Sequence, residues 1–446
     1  MKLHTKILLG LLVGGVLGAA LNLALGGDHP SVLAANAYVA GPVGQIFLRL
    51  LFMVVMPLVF ASVALGVASI GDIRRVGRMA GKTLAYFFGT TALAASLGLG
   101  VVALVKPGTQ IDPETRAELI QTFAGDAATK IEAAQASTFG VDTFVGIVTR
   151  NPLKSAVDGD MLGVIFFALI FGAAVTLIRR ERGETMIAFL NALNDTVTKI
   201  VEVSMHLAPY GVAGLIFGVT SRFGFVLLEP LGIYVATVLC ALFLHVAVTM
   251  SLVIRFLIGA APLDFFSRIK ASIVTAFSTS SSSATLPTNI EVAELDVGVP
   301  PKVAGFVLPL GATMCMNGTS LFEGISVIFL CQVFGVELDL GQQAVVMVLA
   351  VITAIGAAAV PGGSIPLLVG ILAMFGVPAE GIAVILGVDR ILDMSRTAVN
   401  VVGDHTAAAF IARSEGLWSP ASMPSEAERE RRRLNESPGY PAREGE

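Results

Sequence analysis

Apolar residues run along this chain in blocks too long for the buried stripe of a soluble helix. Continuous blocks cover 7–26, 43–70, 80–106, 161–178, 184–219 and 226–256, and a more broken apolar region follows from 262 to 415. A helix needs roughly 20 apolar residues to cross the hydrocarbon core of a bilayer, so each block predicts a membrane span. The first block, behind Met1-Lys2-Leu3-His4-Thr5-Lys6, resembles a signal peptide. Its length and the membranous chain after it predict a retained helix instead.

The second half is interrupted in two places. Residues 278–287 read Ser-Thr-Ser-Ser-Ser-Ser-Ala-Thr-Leu-Pro, and residues 356–366 read Gly-Ala-Ala-Ala-Val-Pro-Gly-Gly-Ser-Ile-Pro. Neither break leaves flanks long enough to span alone, which predicts two helical hairpins that enter the membrane and turn back. Broken segments at corresponding places are the best sequence pointer to a transporter's binding site, because irregular backbone at membrane depth must face protein or water. An external loop between short helices is the plainer reading of each.

Charge sets the orientation. Lys2 and Lys6, then Arg74, Arg75, Arg78 and Lys82, then Arg179, Arg180 and Arg182, then Arg255, Arg268 and Lys270 mark alternate connections, whereas 107–160 carries eight acidic and four basic residues. Six spans with both ends cytoplasmic fit the positive-inside rule, with Arg222 on the other side. From Leu417 the composition turns to Ser, Pro, Glu and Arg, predicting a disordered cytoplasmic tail over 416–446. Composition agrees with a membrane protein: 55% of the 446 residues are hydrophobic and 14% charged, where soluble domains carry about a quarter charged. Cys240, Cys315 and Cys331 have no metal-like spacing and read as packing residues. No nucleic-acid footprint and no cofactor motif is present.

The strongest chemical signal lies in the last apolar block. Asp389, Asp393, Arg396, Asn400 and Asp404 follow at steps of 4, 3, 4 and 4, which at about 100° per residue confines them to a face roughly 80° wide. Arg390 flanks it. Each charge at a helix centre costs about 2.5–3.5 kcal/mol in a membrane, so the face must line a polar site or form a structural ion-pair cluster. Thr397 and Asn400 add neutral donors and acceptors. Arg396 offers a fork for a carboxylate, Asp393 accepts from an ammonium group, and hairpin-tip N–H groups suit a second carboxylate. Together these describe an acidic amino acid. Between 311 and 319, Gly-Ala-Thr-Met-Cys-Met-Asn-Gly-Thr permits a local unwinding whose carbonyls could hold a cation. Glu323 stands alone in an apolar run, as a proton carrier or as a charge at a cavity edge.

Taken in order, Leu48-Arg49-Leu50-Leu51, Met56-Pro57-Leu58-Val59-Phe60-Ala61-Ser62, Ser280 to Pro287, Gly318-Thr319, Val360-Pro361-Gly362 and Asp389 through Asp404 resemble the glutamate/aspartate transporters, the dicarboxylate/amino acid:cation symporters. The resemblance covers about residues 5 to 415. It implies an all-α membrane protein of eight transmembrane helices and two re-entrant hairpins with inverted repeats. It also implies a homotrimer in which a transport domain (80–106 and 226–415) moves like an elevator against a scaffold (1–70 and 141–219).

Carried over by position, Arg396 holds the substrate's side-chain carboxylate and Asp393 its amino group. Ser281, Ser282, Thr319, Val360, Ser364, Thr397 and Asn400 add contacts. Gly311, Thr313, Met316, Asn400 and Asp404 remain as sodium ligands, and Glu323 resembles the proton-carrying glutamate of the animal members. The departures matter. Cys315-Met316-Asn317-Gly318-Thr319 replaces Asn-Met-Asp-Gly-Thr, Phe87 stands for a tyrosine, Ala354 for a serine and Ala357 for a threonine. An arginine expected at Ser280 or Met394 is absent, and Arg390 is the substitute. Sodium needs several oxygen ligands; the losses point to H+ rather than Na+ as coupling ion. A sodium-coupled symporter and a C4-dicarboxylate carrier are the alternatives. An intramembrane serine protease using Ser364 with His405 or His245 lacks any fixed nucleophile–base pair.

Overall fold

The computed structural model describes residues 3–73, 78–111, 116–117, 148–158, 161–224, 228–356 and 364–429, and these are helical without any strand. Among the described residues, five helices are long and apolar enough to cross a membrane, or six if one bent pair counts as a span. Many large apolar side chains point outward, among them Leu12, Val16, Leu23, Leu104, Phe243 and Phe256. An apolar exterior of that extent belongs in lipid.

One of the expected spans, 184–219, differs from the sequence reading. The block 184–219 is not one helix: Arg180–Met205 and Ala208–Phe223 meet at a 59° bend. Pro209 at the start of the second helix has no N–H for the ladder, so the chain re-enters a new helix there. The block 161–178 forms Met161–Leu177, whose 17 residues reach about 26 Å.

The first helix, Leu3–Leu25, lies along Ala208–Phe223. Gly10, Gly14 and Gly18 make this possible, one per turn on a single face. A Cβ at Gly14 would come within 2.9 Å of Ala213 Cα, and one at Gly18 within 2.8 Å of the Phe217 carbonyl oxygen. Lipid tails are as apolar as leucine, so small residues that let backbones touch are what hold such helices together. This helix is a built-in part of the fold.

Gly41–Phe52 and Arg180–Met205 pack on Ala208–Phe223, and Val55–Ile73 and Met161–Leu177 pack on each other and on Arg180–Met205. A second set surrounds Ala383–Ser414: the helix Arg78–Val105, the helix Leu228–Leu244, and the pieces from Pro262 to Met374. One apolar core runs through the first set into Asn317–Val333, and another is enclosed by Tyr86, Phe87, Phe265, Val307 and Ile411.

The helices on either side of each break in the second half contact each other. Lys270–Thr279 and Ser282–Val292 pack against each other, about 15–17 Å of helix apiece, half a membrane. The serines make the turn: Ser280 takes the left-handed conformation (φ 52°), and the Ser281 hydroxyl caps the return helix by accepting from Ala284 N at 3.1 Å. The second hairpin pairs Leu340–Gly356 with Ile365–Met374; its break, with Ala357 and Val360, lies outside the described residues.

The first residues of the tail expected to be disordered over 416–446 are docked on the body. Trp418 is buried, donates to the Val297 carbonyl at 3.1 Å, and Arg268 donates to the Pro424 carbonyl at 2.8 Å. A tryptophan covers much apolar surface at low entropic cost, so the segment docks. Residues beyond 429 lie outside the described ones. Cys315 and Cys331 are buried as expected for packing, but Cys240 is exposed.

Candidate functional site

The polar face of Ala383–Ser414 is turned inward along its whole length. Asp389, Asp393, Arg396, Asn400 and Asp404 are all buried, none more than 6% exposed. Arg390 and Thr397 join them. The five positions read from the sequence therefore describe one enclosed surface.

Arg396 is its centre. Its guanidinium donates through Nη1 to Asp389 Oδ1 at 3.1 Å and through Nε to Asp393 Oδ1 at 3.1 Å, with Nη2 2.8 Å from the same Asp393 oxygen. Its third support is Phe322, whose ring centre lies 4.2 Å beneath the guanidinium carbon. Arg390 Nη1 approaches Asp393 Oδ2 at 3.5 Å. Two arginines and two aspartates balance, so four buried charges leave no net charge. Such a cluster survives burial because every charge has a partner.

Next to it the predicted unwinding is present. The helix Pro301–Met314 stops, Cys315 and Met316 leave helical geometry, and Asn317–Val333 begins. Asn400 closes the gap: its Oδ1 accepts from the main-chain N–H groups of Gly318 (2.7 Å) and Thr319 (3.4 Å), and its Nδ2 donates to Thr319 Oγ1 (3.1 Å) and approaches Met316 Sδ (3.2 Å). The helix N-terminus freed by the break thus points at the charged face. Gly318 fits here because its Cα rests against the main chain of Arg396; a Cβ would lie 2.8 Å from Arg396 Cα and closer to its carbonyl oxygen.

One turn beyond Asn400 lies Asp404. Neither of its oxygens has a hydrogen-bond partner among the described residues, and the Cys315 thiol lies beside it. Gly311 is in contact: a Cβ there would come within 2.5 Å of Asp404 Oδ1 and 3.3 Å of Phe87 Cζ. Phe87 brings no oxygen to this corner. Asn317 Oδ1 accepts from the hydroxyls of Thr90 (3.2 Å) and Thr91 (3.0 Å). Thr313 is exposed and returns its hydroxyl to the Leu310 carbonyl, so only its main chain could serve an ion at Asp404.

Ser281 and Ser282 are buried at the first hairpin's tip, in a hairpin packed on Ala383–Ser414. Ser364 is buried at the edge of the second hairpin's break. Its Oγ, and both ring nitrogens of His245 and of His405, have no hydrogen-bond partner among the described residues. A serine–histidine pair is therefore not assembled there. Glu323 is wholly buried on Asn317–Val333, faces Arg396, and places Oε2 2.7 Å from Thr353 Oγ1 on the second hairpin. Sequence reasoning missed Phe322 and Thr353. Phe322 reads as one more core aromatic and Thr353 as a lone hydroxyl in an apolar stretch, so neither gives a periodic signal.

A buried, balanced charged face inside a membrane bundle, between a broken helix and two hairpins, defines a carrier of small polar solutes and not an enzyme. The chain belongs to the sodium:dicarboxylate symporter family, whose model matches residues 3–414. It is 36% identical over 420 residues to the proton/sodium-glutamate symport protein of Bacillus subtilis, covering 94% of each chain. It is 33% identical over 415 residues to the proton/glutamate-aspartate symporter of Escherichia coli, covering 93% of each. It is 32% identical over 381 residues to the C4-dicarboxylate transport protein of B. subtilis, covering 85% of this chain and 88% of that one. The protein is a multi-pass membrane transporter.

Proposed function

We propose that this protein carries aspartate or glutamate into the cell by proton-coupled secondary transport, with Glu323 as the proton carrier and sodium coupling lost or reduced. The observation that carries this reading is the balanced cluster around Arg396. An acidic amino acid brings one net negative charge into a site whose two arginines and two aspartates already cancel. A proton on Glu323, which faces Arg396, removes one negative charge from the same enclosure. Solute and proton then favour each other's binding, which is what symport requires.

In this reading Arg396 trades part of its bond with Asp389 and Asp393 for the substrate's side-chain carboxylate. Asp393 takes the ammonium group. Ser281, Ser282, Val360 and Ser364 at the hairpin tips, with Thr319, Thr397 and Asn400, complete the contacts. Arg390 supports Asp393 from one turn earlier. The altered oxygens at Phe87, Cys315 and Asn317 argue against a full sodium set; Gly311, Thr313, Met316, Asn400 and Asp404 would hold a residual ion. The relatives named as proton/glutamate-aspartate and proton/sodium-glutamate symporters support the substrate class and leave either ion open.

A C4-dicarboxylate carrier is the second reading, favoured by the relative of that name. Asp393 opposes it, since a buried carboxylate repels a dianion that brings no ammonium. The helices around Leu3–Leu25 and Ala208–Phe223 would form a trimeric scaffold, and those around Ala383–Ser414 the part that moves like an elevator. Both termini would lie in the cytoplasm and the protein in the inner membrane.

Calorimetric titration of the purified protein with aspartate, glutamate and succinate tests the substrate. Aspartate or glutamate should bind at least tenfold more tightly than succinate, and Asp393→Asn should erase the difference. Tighter binding of succinate to the native protein would favour the dicarboxylate reading.

A further inference from the structure

The hydroxyl of Thr353 stands between two oxygens. Its Oγ1 is 2.6 Å from the Leu349 carbonyl oxygen one turn earlier and 2.7 Å from Glu323 Oε2 on the neighbouring helix. A threonine hydroxyl has one hydrogen to give and lone pairs with which to accept. A carbonyl oxygen only accepts, and so does an ionised carboxylate. Both short contacts are satisfied together only if one of the two facing oxygens brings a hydrogen of its own. The Leu349 carbonyl has none. Glu323 has one as a carboxylic acid.

We propose that Thr353 is a positioning residue that reads the protonation state of Glu323 and passes it to the second hairpin. When Glu323 is protonated, its O–H donates to Thr353 Oγ1, and Thr353 donates to the Leu349 carbonyl. When the proton leaves for water, Thr353 turns its single hydrogen to the carboxylate and releases the Leu349 carbonyl. The proposal rests on Glu323 being the proton carrier.

The surroundings leave this role to Thr353. Thr353 and Glu323 are both wholly buried, and Glu323 Oε1 has no hydrogen-bond partner among the described residues. The charged group that acts on Glu323 is Arg396 from Ala383–Ser414, itself bonded to Asp389 and Asp393. The helix Arg78–Val105 presents Leu99 and the Ala95 main chain at the adjacent Gly324. Tyr234, from Leu228–Leu244, is taken by the Ser326 hydroxyl at 2.8 Å. The second hairpin contributes Thr353. Its position decides what it can move: it lies four residues before the break that starts at 357, on the arm leading to that break. Proton occupancy at Glu323 and the hydrogen bonding of the second hairpin's first arm thus share one hydroxyl.

Three variants in proteoliposomes test this: Thr353→Val, which keeps the shape and removes the hydroxyl, Thr353→Ser, which restores it, and Glu323→Gln. Two readouts are taken, the pH profile of aspartate uptake and the protonated-carboxyl band in the pH-difference infrared spectrum. Glu323→Gln should abolish the profile's alkaline limb and the band, which assigns both to Glu323. In Thr353→Val the ionised form loses a charge-assisted hydrogen bond, the stronger of the two bonds it replaces. The pH of half-maximal uptake should therefore rise by about half to one unit, and the band should move. Thr353→Ser should return both to the native position. If Thr353→Val does not fold, Thr353→Ala serves as the hydroxyl-free variant. An unmoved band and profile in the hydroxyl-free variant, with both lost in Glu323→Gln, would overturn the role of Thr353 and leave Glu323 standing. A profile and band that survive Glu323→Gln would overturn both.

Discussion

Arg396 binds two aspartates and lies on the face of Phe322 at the same time. That crowding fixes the plane of the guanidinium before any substrate arrives, and a planar fork in a fixed plane recognises a carboxylate with two bonds. Lysine keeps the charge and loses the fork. Arg396→Lys should lower aspartate affinity by about 10–100-fold in calorimetric titration, roughly 1.4–2.7 kcal/mol. Phe322→Leu removes the ring under the cation, an interaction of about 0.5–2 kcal/mol, and should cost affinity about 2–30-fold without loss of fold. Arg390→Ala should weaken binding about tenfold, because the Asp393 carboxylate loses its second cation. Unchanged affinity in that variant would remove Arg390 from the site. These residues differ in how legible they are. The carboxylate and arginine spacing of Asp389 through Asp404 is visible because charges in an apolar helix are rare and expensive. Phe322 looks like any other core phenylalanine, and only the folded chain shows what lies above it.

At the scale of elements, the breaks matter as much as the helices. The first hairpin turns at Ser280, a non-glycine residue at φ 52°. The left-handed region costs an L-residue about 1–2 kcal/mol that glycine does not incur. Ser280→Gly should raise the thermal unfolding midpoint or leave it unchanged, and Ser280→Val should lower it by several degrees. The pairing of Leu3–Leu25 with Ala208–Phe223 depends on Gly10, Gly14 and Gly18. Gly14→Leu should separate the two backbones and destabilise the detergent-solubilised protein by about 1–3 kcal/mol, measured as loss of the folded peak in size exclusion on heating. The serine-rich and glycine-proline breaks were legible because turn residues inside apolar runs have few structural uses. The 59° bend before Ala208 was not, since His206 and Leu207 lie in an unbroken apolar stretch and Pro209 at a helix start looks like Pro within one. The docking of Trp418 was hidden for a related reason: a single aromatic residue in a charged, proline-rich segment reads as tail.

Across the whole molecule, two helical groups meet along Ala383–Ser414, and one junction can be followed by pH. Lys82 and Arg78 at the start of Arg78–Val105 bind Glu415 at 2.6 and 3.2 Å, just past the end of Ala383–Ser414. Hydrogen bonds from Lys82 and then Arg78 hold the Glu415 carboxyl below its ordinary value. A carboxyl lowered in the folded state adds stability above its unfolded pKa, about 4.3, and that stability is lost as pH falls through the folded value. Acid weakening of this junction should therefore appear only below about pH 4, and transport near neutral pH should not sense Glu415. Glu415→Gln should speed hydrogen exchange at residues 78–82 and 411–415 and leave the neutral pH profile of uptake in place.

The central claim, acidic amino acid transport driven by protons, is tested most directly by radiolabelled aspartate uptake into proteoliposomes with inward proton and sodium gradients imposed separately. The account predicts concentrative uptake driven by the proton gradient and indifferent to sodium, since Phe87, Cys315 and Asn317 crowd the oxygens an ion would need and Glu323 is free to take the proton's part. Uptake that requires sodium and ignores the proton gradient would contradict it, and would mean that Asp404 and the carbonyls of the unwound segment suffice to hold the driving ion.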